Sequence, residues 1–311
     1  MSAGVQGSSD AQRSTLIVGE ALIDIVATEG EENEFAGGSP LNVAITLGRL
    51  GDEVSLLTSI GDDARGDEIA RVLTESKVIL VPESRHPGST STARARIGAD
   101  GSARYAFDIR WDLPASLHVM PSAVIHAGSI ALFLQPGASR VSEILAGKAT
   151  DALATLDPNI RPALLGSHAE ALENFESLLV SADLVKLSDE DAAWLYPGLG
   201  PGDVLRRLLA VGPSIAAMTR GGESSVLASA TAMIEVASVP TTVADTIGAG
   251  DSYMGALIHQ LLTTDLADRV RDAAGIDSAA MHGIGEFAAR VSAITVARRG
   301  ANPPWLAELL L

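Results

Sequence analysis

A glycine-rich segment that ends in an aspartate carries the strongest chemical signal in the chain. Residues 245–251 read Asp-Thr-Ile-Gly-Ala-Gly-Asp and run directly into an apolar helical stretch. Small residues let a ligand approach the backbone, and successive amides at the start of a helix attract an anion. Phosphoryl transfer needs such a positive, preformed environment, and Asp251 could take the proton of an attacking hydroxyl. For the tripeptide 248–250 alone, a glycine turn followed by a helix N-cap aspartate is the competing interpretation.

A second small-residue segment opens the first long helical stretch. Residues 37–42 read Gly-Gly-Ser-Pro-Leu-Asn. The two glycines permit a close approach, and the amide of Asn42 offers both a donor and an acceptor to a polyol. Taken alone, the segment is equally well explained as a structural turn followed by a polar residue in the first helical turn.

Composition limits the classes of function. The chain has 311 residues, of which 47% are hydrophobic and 20% charged, with a formal net charge of −17 and no cysteine. This is the composition of a globular protein. The acidic balance argues against nucleic acid as a partner, because binding to the phosphate backbone needs a basic face. Without cysteine, disulfides and thiolate metal sites are excluded.

The elements that must position these segments follow an α/β pattern. Short apolar runs rich in β-branched residues alternate with longer helical stretches, which indicates a mostly parallel sheet covered on both faces. We predict strands at 15–18, 54–57, 123–126, 153–156, 184–186 and 215–219, and helices at 41–50, at 67–76 and through most of the chain from residue 250 onward.

One stretch departs from this rhythm. Apolar residues alternate with polar ones over residues 91–110, on either side of the turn Gly-Ala-Asp-Gly at 98–101, which predicts a hairpin. Residues 23–35 could add further strands around the acidic turn at 29–34. We interpret these segments, near 23–36 and 88–112, as a discontinuous β-sheet lid on a single domain that spans residues 15–311. Residues 1–14 are interpreted as a flexible tail.

Two other nucleotide-binding motifs are rejected. Residues 283–288, Gly-Ile-Gly-Glu-Phe-Ala, lack both the last glycine and the preceding strand of a dinucleotide-binding fingerprint, so an oxidoreductase is not supported. Gly147 and Lys148 superficially resemble a P-loop, but Ala149 stands where a hydroxyl must bind magnesium. The six histidines show no metal-ligand spacing.

Together, the segments at 37–42 and 245–251 resemble the two signatures of the PfkB, or ribokinase-like, carbohydrate kinases. The resemblance runs from about Leu16 to the C-terminus. It implies a ribokinase-like three-layer α/β/α fold, Rossmann-like in its mostly parallel sheet, together with a small β-sheet lid. It also implies ATP and Mg²⁺ as cofactors and catalysis by Asp251, with an anion hole formed by the amides of Gly248, Ala249 and Gly250. The residues expected to hold the sugar are Asp24, Gly37, Gly38 and Asn42.

Further segments carry the same resemblance. Residues 186–191, Lys-Leu-Ser-Asp-Glu-Asp, are similar to the family's Asn-x-x-Glu segment, with Ser188 in place of Asn and Asp191 in place of Glu. Asp191 is therefore expected to hold magnesium through water. The nucleotide is expected to contact Lys186, Thr219, Gly221, Gly222 and Asn302. Asp245 is a candidate ligand, with the backbone of Ile247, for a monovalent cation such as K⁺. A solvated helix start is the alternative for the acidic run at 189–191.

The sequence narrows the choice of phosphate acceptor but does not decide it. Residues 19–24, 157–162 and 300–304 look most like the corresponding segments of bacterial fructokinases, which favours fructose. In the Asp-x-Asn-x-Arg segment at 157–161, Arg161 is expected to contact substrate, with a surface arginine as the alternative. A 2-keto-3-deoxygluconate kinase, a ribokinase or nucleoside kinase, and a sugar-binding relative without catalysis remain alternatives. A sugar acid would need cationic partners, for which the candidates are Arg94, Arg96, Arg104 and Arg110.

The remaining expectations concern surroundings and partners. No apolar run is long enough to cross a bilayer and no signal peptide is recognisable, so a cytoplasmic protein without a membrane or nucleic-acid partner is expected. The expected partners are the sugar, ATP and, through the lid, a second copy of the chain in a homodimer.

Overall fold

The computed structural model describes residues 14–28, 31–97, 103–114, 116–117, 121–271 and 275–310. Two features predicted from the sequence lie outside these ranges. They are the hairpin turn at 98–101 and the N-terminal tail, except for Ser14, which begins the first strand.

Short strands, most of them buried, form the framework of the molecule. In chain order they are β1 Ser14–Val18, β2 Leu22–Thr28, β3 Glu31–Gly37, β4 Glu53–Leu57, β5 Ile60–Gly61, β6 Val78–Leu80, β7 Arg85–His86, β8 Thr92–Ile97, β9 Ala103–Asp108, β10 Val124–Gly128, β11 Leu153–Asp157, β12 Leu184–Ser188, β13 Ile215–Arg220, β14 Ser224–Ala228 and β15 Met233–Ala237.

The helices lie between these strands and after them. They are α1 Ser39–Leu50, α2 Ala64–Glu75, α3 Gly137–Ala146, α4 His168–Leu179, α5 Asp189–Leu195, α6 Pro201–Val211, α7 Ala249–Thr263, α8 Leu266–Arg271 and α9 Ser278–Val296. Their boundaries follow local chemistry: α1 carries a proline at its start and ends at Gly51, whose φ of 93° is left-handed.

A nine-stranded sheet in the order β15-β14-β13-β12-β11-β10-β1-β4-β6 forms the centre. Its strands are parallel from β13 to β6, and β14 and β15 pair antiparallel at one edge. Because a parallel sheet buries both faces, successive residues of one strand enter different cores. In β1, Ile17 belongs to the core formed with α1, α2 and α7–α9, whereas Leu16 and Val18 belong to the core formed with α3–α6. The result is three layers.

A separate four-stranded sheet, in the order β3-β2-β8-β9, lies beside this body. Strands β2 and β3 are antiparallel, as are β8 and β9, and β2 pairs with β8 in parallel. One face packs on the body through Ile23 and Ile25, which are buried in the main core. The register places Phe35, Asp24, Ala93 and Phe107 in one row on the opposite face. We call this opposite face the outer face of the small sheet.

The predicted α/β architecture is confirmed, and so are the predicted strands and the hairpin of β8 and β9. The antiparallel edge formed by β14 and β15 was not predicted. The rejected dinucleotide fingerprint, residues 283–288, lies in the middle of α9 and follows no strand. Within the described ranges, no helix combines the length and hydropathy needed to cross a bilayer.

Candidate active site

Asp251 lies in the first turn of α7, and its carboxylate crosses to α1. Its Oδ1 accepts a hydrogen bond from the Ser39 hydroxyl at 2.7 Å, and its Oδ2 accepts one from Asn42 Nδ2 at 2.8 Å. The N-cap position of α7 belongs to Gly248, so the interpretation of Asp251 as a helix cap is wrong. Asn42 was predicted to face a sugar, and the structure brings it to the predicted base.

The two helices can approach because small residues face each other one turn further along. A Cβ atom on Gly255 would lie 2.8 Å from the Thr46 side chain and 3.4 Å from the Val43 carbonyl oxygen. Gly255 follows Asp251 by four residues, and Thr46 follows Asn42 by four, so both pairs lie on the same helix faces. Close packing of α7 on α1 therefore sets the contact at Asp251.

Burial makes Asp251 a stronger base than an exposed aspartate. The residue is only 7% exposed, and this desolvation raises the pKa of its carboxyl group. The hydrogen bonds from Ser39 and Asn42 oppose the rise, as do the charges of Lys186 and Arg161. These donors favour the ionised form of a carboxyl group that burial makes more basic, which suits a carboxylate that accepts a proton.

The glycine turn before α7 is held by close packing and by hydrogen bonds to Asp245. Gly248 has a φ of 78°, and a Cβ there would lie 2.7 Å from that of Ala301, so only glycine fits. Asp245 accepts hydrogen bonds from the amides of Ile247, at 3.1 Å, and Gly300, at 2.9 Å. These amides lower the pKa of the Asp245 carboxyl group. Asp245 therefore joins the turn to the segment that follows α9.

The start of α7 lies close to the buried ammonium group of Lys186. The first amides of a helix have no acceptor within the helix, and the helix dipole adds positive charge there. The amide of Ala249 bonds the Thr246 carbonyl oxygen at 3.3 Å. A Cβ on Gly250 would lie 3.2 Å from Lys186 Nζ. Helix start and ammonium group together make this point attractive to an anion.

Lys186 forms a buried ion pair with Asp157, a partner that the sequence did not reveal. Lys186 Nζ lies 3.0 Å from Asp157 Oδ2, and both side chains are almost inaccessible. Among the described residues, neither Asp157 oxygen has a well-oriented hydrogen bond. Burial raises the pKa of Asp157 to about 7, against the opposing effect of Lys186. Burial lowers the pKa of Lys186, but the charges of Asp157, Asp191 and Asp251 outweigh it, and the net shift is upward.

The segment after β11 brings two more side chains to Asp251. Asn159, with an unusual φ of 36°, donates from Nδ2 to Asp251 Oδ1 at 3.4 Å. Its Oδ1 accepts a hydrogen bond from Arg161 at 2.7 Å. Burial raises the pKa values of Asp251, Asp24 and Glu20, and the charge of the exposed Arg161 opposes that rise. Arg161 thus acts on carboxylates from three separate segments.

The predicted sugar ligands meet where β2 and β3 join α1. A Cβ on Gly37 would lie 2.0 Å from Asp24 Oδ2, so the carboxylate of Asp24 occupies the space that any larger residue would fill. Gly38, with a φ of 114°, packs on the Glu20 carbonyl oxygen. Burial raises the pKa of Asp24 to about 6, and Arg161 opposes the rise. The two glycines are therefore required by close backbone approach.

Asp191 serves first as a structural clamp. It forms a capping box with Ser188: the Ser188 hydroxyl accepts a bond from the Asp191 amide, and Asp191 Oδ2 accepts one from the Ser188 amide, both at 3.0 Å. Its Oδ1 accepts the Ile160 amide at 2.7 Å. Ser188 and Asp191, the two residues that depart from the family pattern, thus bond each other. The bond from the Ile160 amide to Asp191 fixes the segment that carries Arg161.

The expected nucleotide residues lie at two further places. Thr219 pairs with Ser188 across β13 and β12, and the following Gly221 and Gly222 are exposed. Ser224, two residues after this glycine pair, is buried and donates to Glu235 at 2.7 Å.

Asn302 lies on the segment that follows α9. Its Oδ1 accepts a bond from Arg49 at 2.5 Å, which ties the segment to α1. In the part of the chain that the structure describes, no hydrogen bond links Asn302, Thr219, Gly221 or Gly222 to Asp251.

Four residues at this site were not among the predicted site residues: Ser39, Asp157, Asn159 and Glu20. All four lie inside segments that the sequence already singled out, and Ser39 precedes Asn42 by three residues, on the same helix face. Glu20 had a weaker signal. It is an acidic residue two positions after the end of the buried apolar strand β1, where a charge is unusual.

Comparisons with known proteins identify the family of this chain. A family model described as pfkB family carbohydrate kinase matches residues 12–308. A fructokinase of Rhizobium leguminosarum bv. trifolii is 31% identical over 283 residues, which cover 86% of this chain and 85% of the relative.

Solved structures share the fold. The crystal structure of a fructokinase from Xylella fastidiosa with bound ATP has a TM-score of 0.82 at 24% identity and covers 96% of this chain and 97% of its own. A fructokinase double mutant from Vibrio cholerae O395, in fructose, ADP and potassium ion bound form, has a TM-score of 0.78 at 21% identity and covers 94% and 95%. The family match over nearly the whole length, with a buried aspartate at the glycine turn, shows that this chain belongs to the pfkB family of carbohydrate kinases.

Proposed function

We propose that this carbohydrate kinase transfers the terminal phosphoryl group of ATP to a hydroxyl group of fructose, with Asp251 as the base. The observation that carries the proposal is the buried carboxylate of Asp251, held by Ser39 and Asn42 beside the amides that begin α7. A proton acceptor and an anion-binding helix start lie within a few residues of each other. Phosphoryl transfer to an alcohol needs this combination.

In the proposed reaction, the acceptor hydroxyl gives its proton to an Asp251 carboxylate oxygen as the hydroxyl oxygen attacks phosphorus. The bond between phosphorus and the oxygen of the leaving ADP breaks in the same displacement. The amides of Gly248, Ala249 and Gly250, with Lys186, stabilise the negative charge on the transferred group. Asp24, the Gly37–Gly38 backbone and Arg161 orient the sugar. Asn42 holds Asp251, and its buried Oδ1, which has no hydrogen-bond partner among the described residues, is offered to this site.

Fructose is favoured over a sugar acid by the direction of a lid arginine. Arg94 pairs with Ile25 in the register of β8 and β2, so it lies on the face opposite Asp24. There it forms an ion pair with Glu32 at 2.6 Å. Among the described residues, the exposed cation that acts on Asp24 and Asp251 is that of Arg161. A neutral polyol suits this balance better than 2-keto-3-deoxygluconate.

Two relatives support the same choice of acceptor. The Rhizobium relative is named a fructokinase, and the Vibrio fructokinase was solved with fructose and ADP bound. By analogy, we propose fructose as the acceptor of this chain as well.

The nucleotide is proposed to lie over the ends of β12 and β13. Thr219, Gly221 and Gly222 offer an exposed loop there, Lys186 lies toward the phosphates, and Asn302 borders the turn on the other side. Magnesium, when bound, would neutralise charge on the phosphates. Asp191 fits a role through water, because each of its oxygens bonds one backbone amide and keeps a lone pair. Asp245 and the Ile247 backbone are the proposed local ligands of a monovalent cation.

The outer face of the small sheet is the proposed surface for a homodimer. Phe35 is 57% exposed and Phe107 is 36% exposed, and the register places both on the face that carries Asp24. A second copy packed on this face would bury both rings and help the small sheet to close over the sugar as a lid. Sedimentation of the intact chain tests this: we expect a dimer that Phe35→Asp converts to a monomer, and a monomeric parent chain would contradict it.

The experiment that tests the function measures ADP release with Mg-ATP. The acceptors are fructose, ribose, 2-keto-3-deoxygluconate and adenosine, each with the parent chain and with Asp251→Asn. We expect fructose to be preferred and kcat to fall by about 10²–10⁴ in the variant, with thermal midpoint and ATP binding retained. Turnover with 2-keto-3-deoxygluconate alone would change the assigned substrate from fructose to this sugar acid. A parent chain that binds ATP but phosphorylates none of the four would favour the non-catalytic alternative.

A further inference from the structure

Asp157 is a buried carboxylate to which the proposed mechanism gives no task. It ends β11, is 1% exposed, and neither of its oxygens has a well-oriented hydrogen bond among the described residues. Its ion-pair partner is Lys186, whose Nζ lies 3.0 Å from Asp157 Oδ2. A buried ion pair is weak evidence for stability, because the cost of desolvating both groups offsets their attraction. The presence of this pair therefore calls for a reason other than stability.

The pairing of two neighbouring strands brings Asp157 and Lys186 together. In the parallel register of β11 and β12, Thr155 lies beside Leu184. Two residues further along each strand, Asp157 lies beside Lys186. Leu153 and Leu184 belong to the core formed with α1, α2 and α7–α9. Because side chains alternate along a strand, Asp157 and Lys186 point toward that same layer, which contains α7.

The ammonium group of Lys186 lies between this carboxylate and the start of α7. A Cβ atom on Gly250, in the first turn of that helix, would lie 3.2 Å from Lys186 Nζ. A lysine side chain is long and flexible, so the position of its charge depends on the partners of the ammonium group. Among the described residues, Asp157 is the acidic residue within ion-pair distance of it. The carboxylate therefore holds the charge at the helix start.

We propose that Asp157 is a positioning residue that holds the Lys186 ammonium group against the start of α7, where this group contacts the terminal phosphate of ATP. The proposal rests on the sugar kinase function above, in which the amides of that helix receive the transferred group. Asp157 acts through Lys186 and is not itself a ligand of ATP or of the sugar. Its loss therefore weakens the contact with phosphate. A carboxylate that merely neutralised Lys186 would have the opposite effect, because its loss would strengthen the attraction of the ammonium group for phosphate.

The test is the ratio of the affinities for Mg-ATP and Mg-ADP, two ligands that differ by the terminal phosphate. Calorimetry measures both on the same preparation, so the folded fraction cancels from the ratio. We expect Lys186→Met to lower the ratio of ATP affinity to ADP affinity about tenfold, through the loss of a charge-assisted hydrogen bond. Asp157→Asn keeps the size of the side chain but removes its charge, and it should lower the ratio about fivefold.

The double variant shows whether Asp157 acts through Lys186. If it does, adding Asp157→Asn to Lys186→Met causes no further fall in the ratio, and kcat with fructose follows the same pattern. The double variant also lacks both buried charges, so it can report the loss of the lysine if Lys186→Met folds poorly.

Asp183→Asn is the matched control. Asp183 directly precedes β12, at the end of the strand opposite the active site, and its Oδ2 lies 3.4 Å from Lys148 Nζ. This variant also removes the acid of a lysine–aspartate pair, but far from α7, so the ratio should equal that of the parent chain.

An unchanged or raised ratio in Asp157→Asn would overturn the proposal, and so would a further fall of the ratio in the double variant. An equal loss of ATP and ADP affinity leaves the ratio unchanged and would indicate a structural role. A parent chain that shows the predicted ratios but phosphorylates no acceptor would refute the kinase function and support the role of Asp157. Turnover of fructose with an unchanged ratio in Asp157→Asn would do the reverse. A chain that binds neither nucleotide would refute both.

Discussion

Ionisable side chains are buried at the ends of the central strands but exposed on the small sheet. At the strand ends, Asp157, Lys186 and Asp251 are buried. On the small sheet, the ion pair of Arg94 with Glu32 leaves both side chains substantially exposed, at 35% and 45%. Charges that remain in water cost little and contribute little, whereas buried charges must be paired and their pKa values shift.

This difference shows where the chemistry is set. The buried site is preorganised before any ligand arrives, because the carboxylate of Asp251 already has donors in the protein. The small sheet carries a solvated ion pair and exposed aromatic rings on its surface. The comparison teaches that perturbing the strand ends changes folding and catalysis, and that perturbing the small-sheet charges changes little.

The largest effect is expected when the buried ion pair of Lys186 and Asp157 is broken. Lys186→Met leaves Asp157 without its cation, and we expect the free energy of unfolding to fall by about 3–5 kcal/mol. Denaturant unfolding of the parent chain and the variant measures this. The double variant Lys186→Met with Asp157→Asn removes both charges and should recover much of the loss. A loss below about 1 kcal/mol in the single variant would mean that the pair behaves like a surface pair.

A smaller effect concerns the base. Burial raises the pKa of Asp251, and the Ser39 hydroxyl opposes that rise, so Ser39→Ala raises the pKa further. Since the base acts only when deprotonated, the acid limb of the kcat profile should move to higher pH, by about 1–2 units for a hydrogen bond to a charged group. Ser177→Ala, on the exposed surface of α4, is the control. An unmoved limb would show that Ser39 does not tune Asp251.

The smallest effect is expected for an exposed ion pair on the small sheet. Arg94→Ala removes an exposed pair on the face of β8 away from Asp24, so stability should change by less than about 1 kcal/mol and fructose KM should not change. Unfolding and kinetics on the same preparations check both. A severalfold rise in KM would place a lid arginine at the acceptor and reopen the sugar-acid alternative.

Much of this molecule could be predicted from the sequence because the signals are local. Strand β1 and helix α1 follow from apolar runs, from the proline at the start of α1 and from the glycine at its end. Asp251, Asn42 and the glycine pairs were identified as candidates from residue type and spacing. The antiparallel edge was missed because no strand is predicted at β14 or β15, where serine and alanine weaken the apolar pattern of a strand.

By itself, the sequence determined the α/β class, the family and the segments that carry the chemistry, since periodicity and short motifs depend on neighbouring residues. Only the tertiary structure decided which side chains meet. Ser39 and Asp251 are 212 residues apart, and Asn159 and Asp251 are 92 apart. Burial depends on the packing of whole layers, so the raised pKa values of Glu20 and Asp157 could not be predicted from local sequence. The physical reason is that desolvation is a property of the assembled fold.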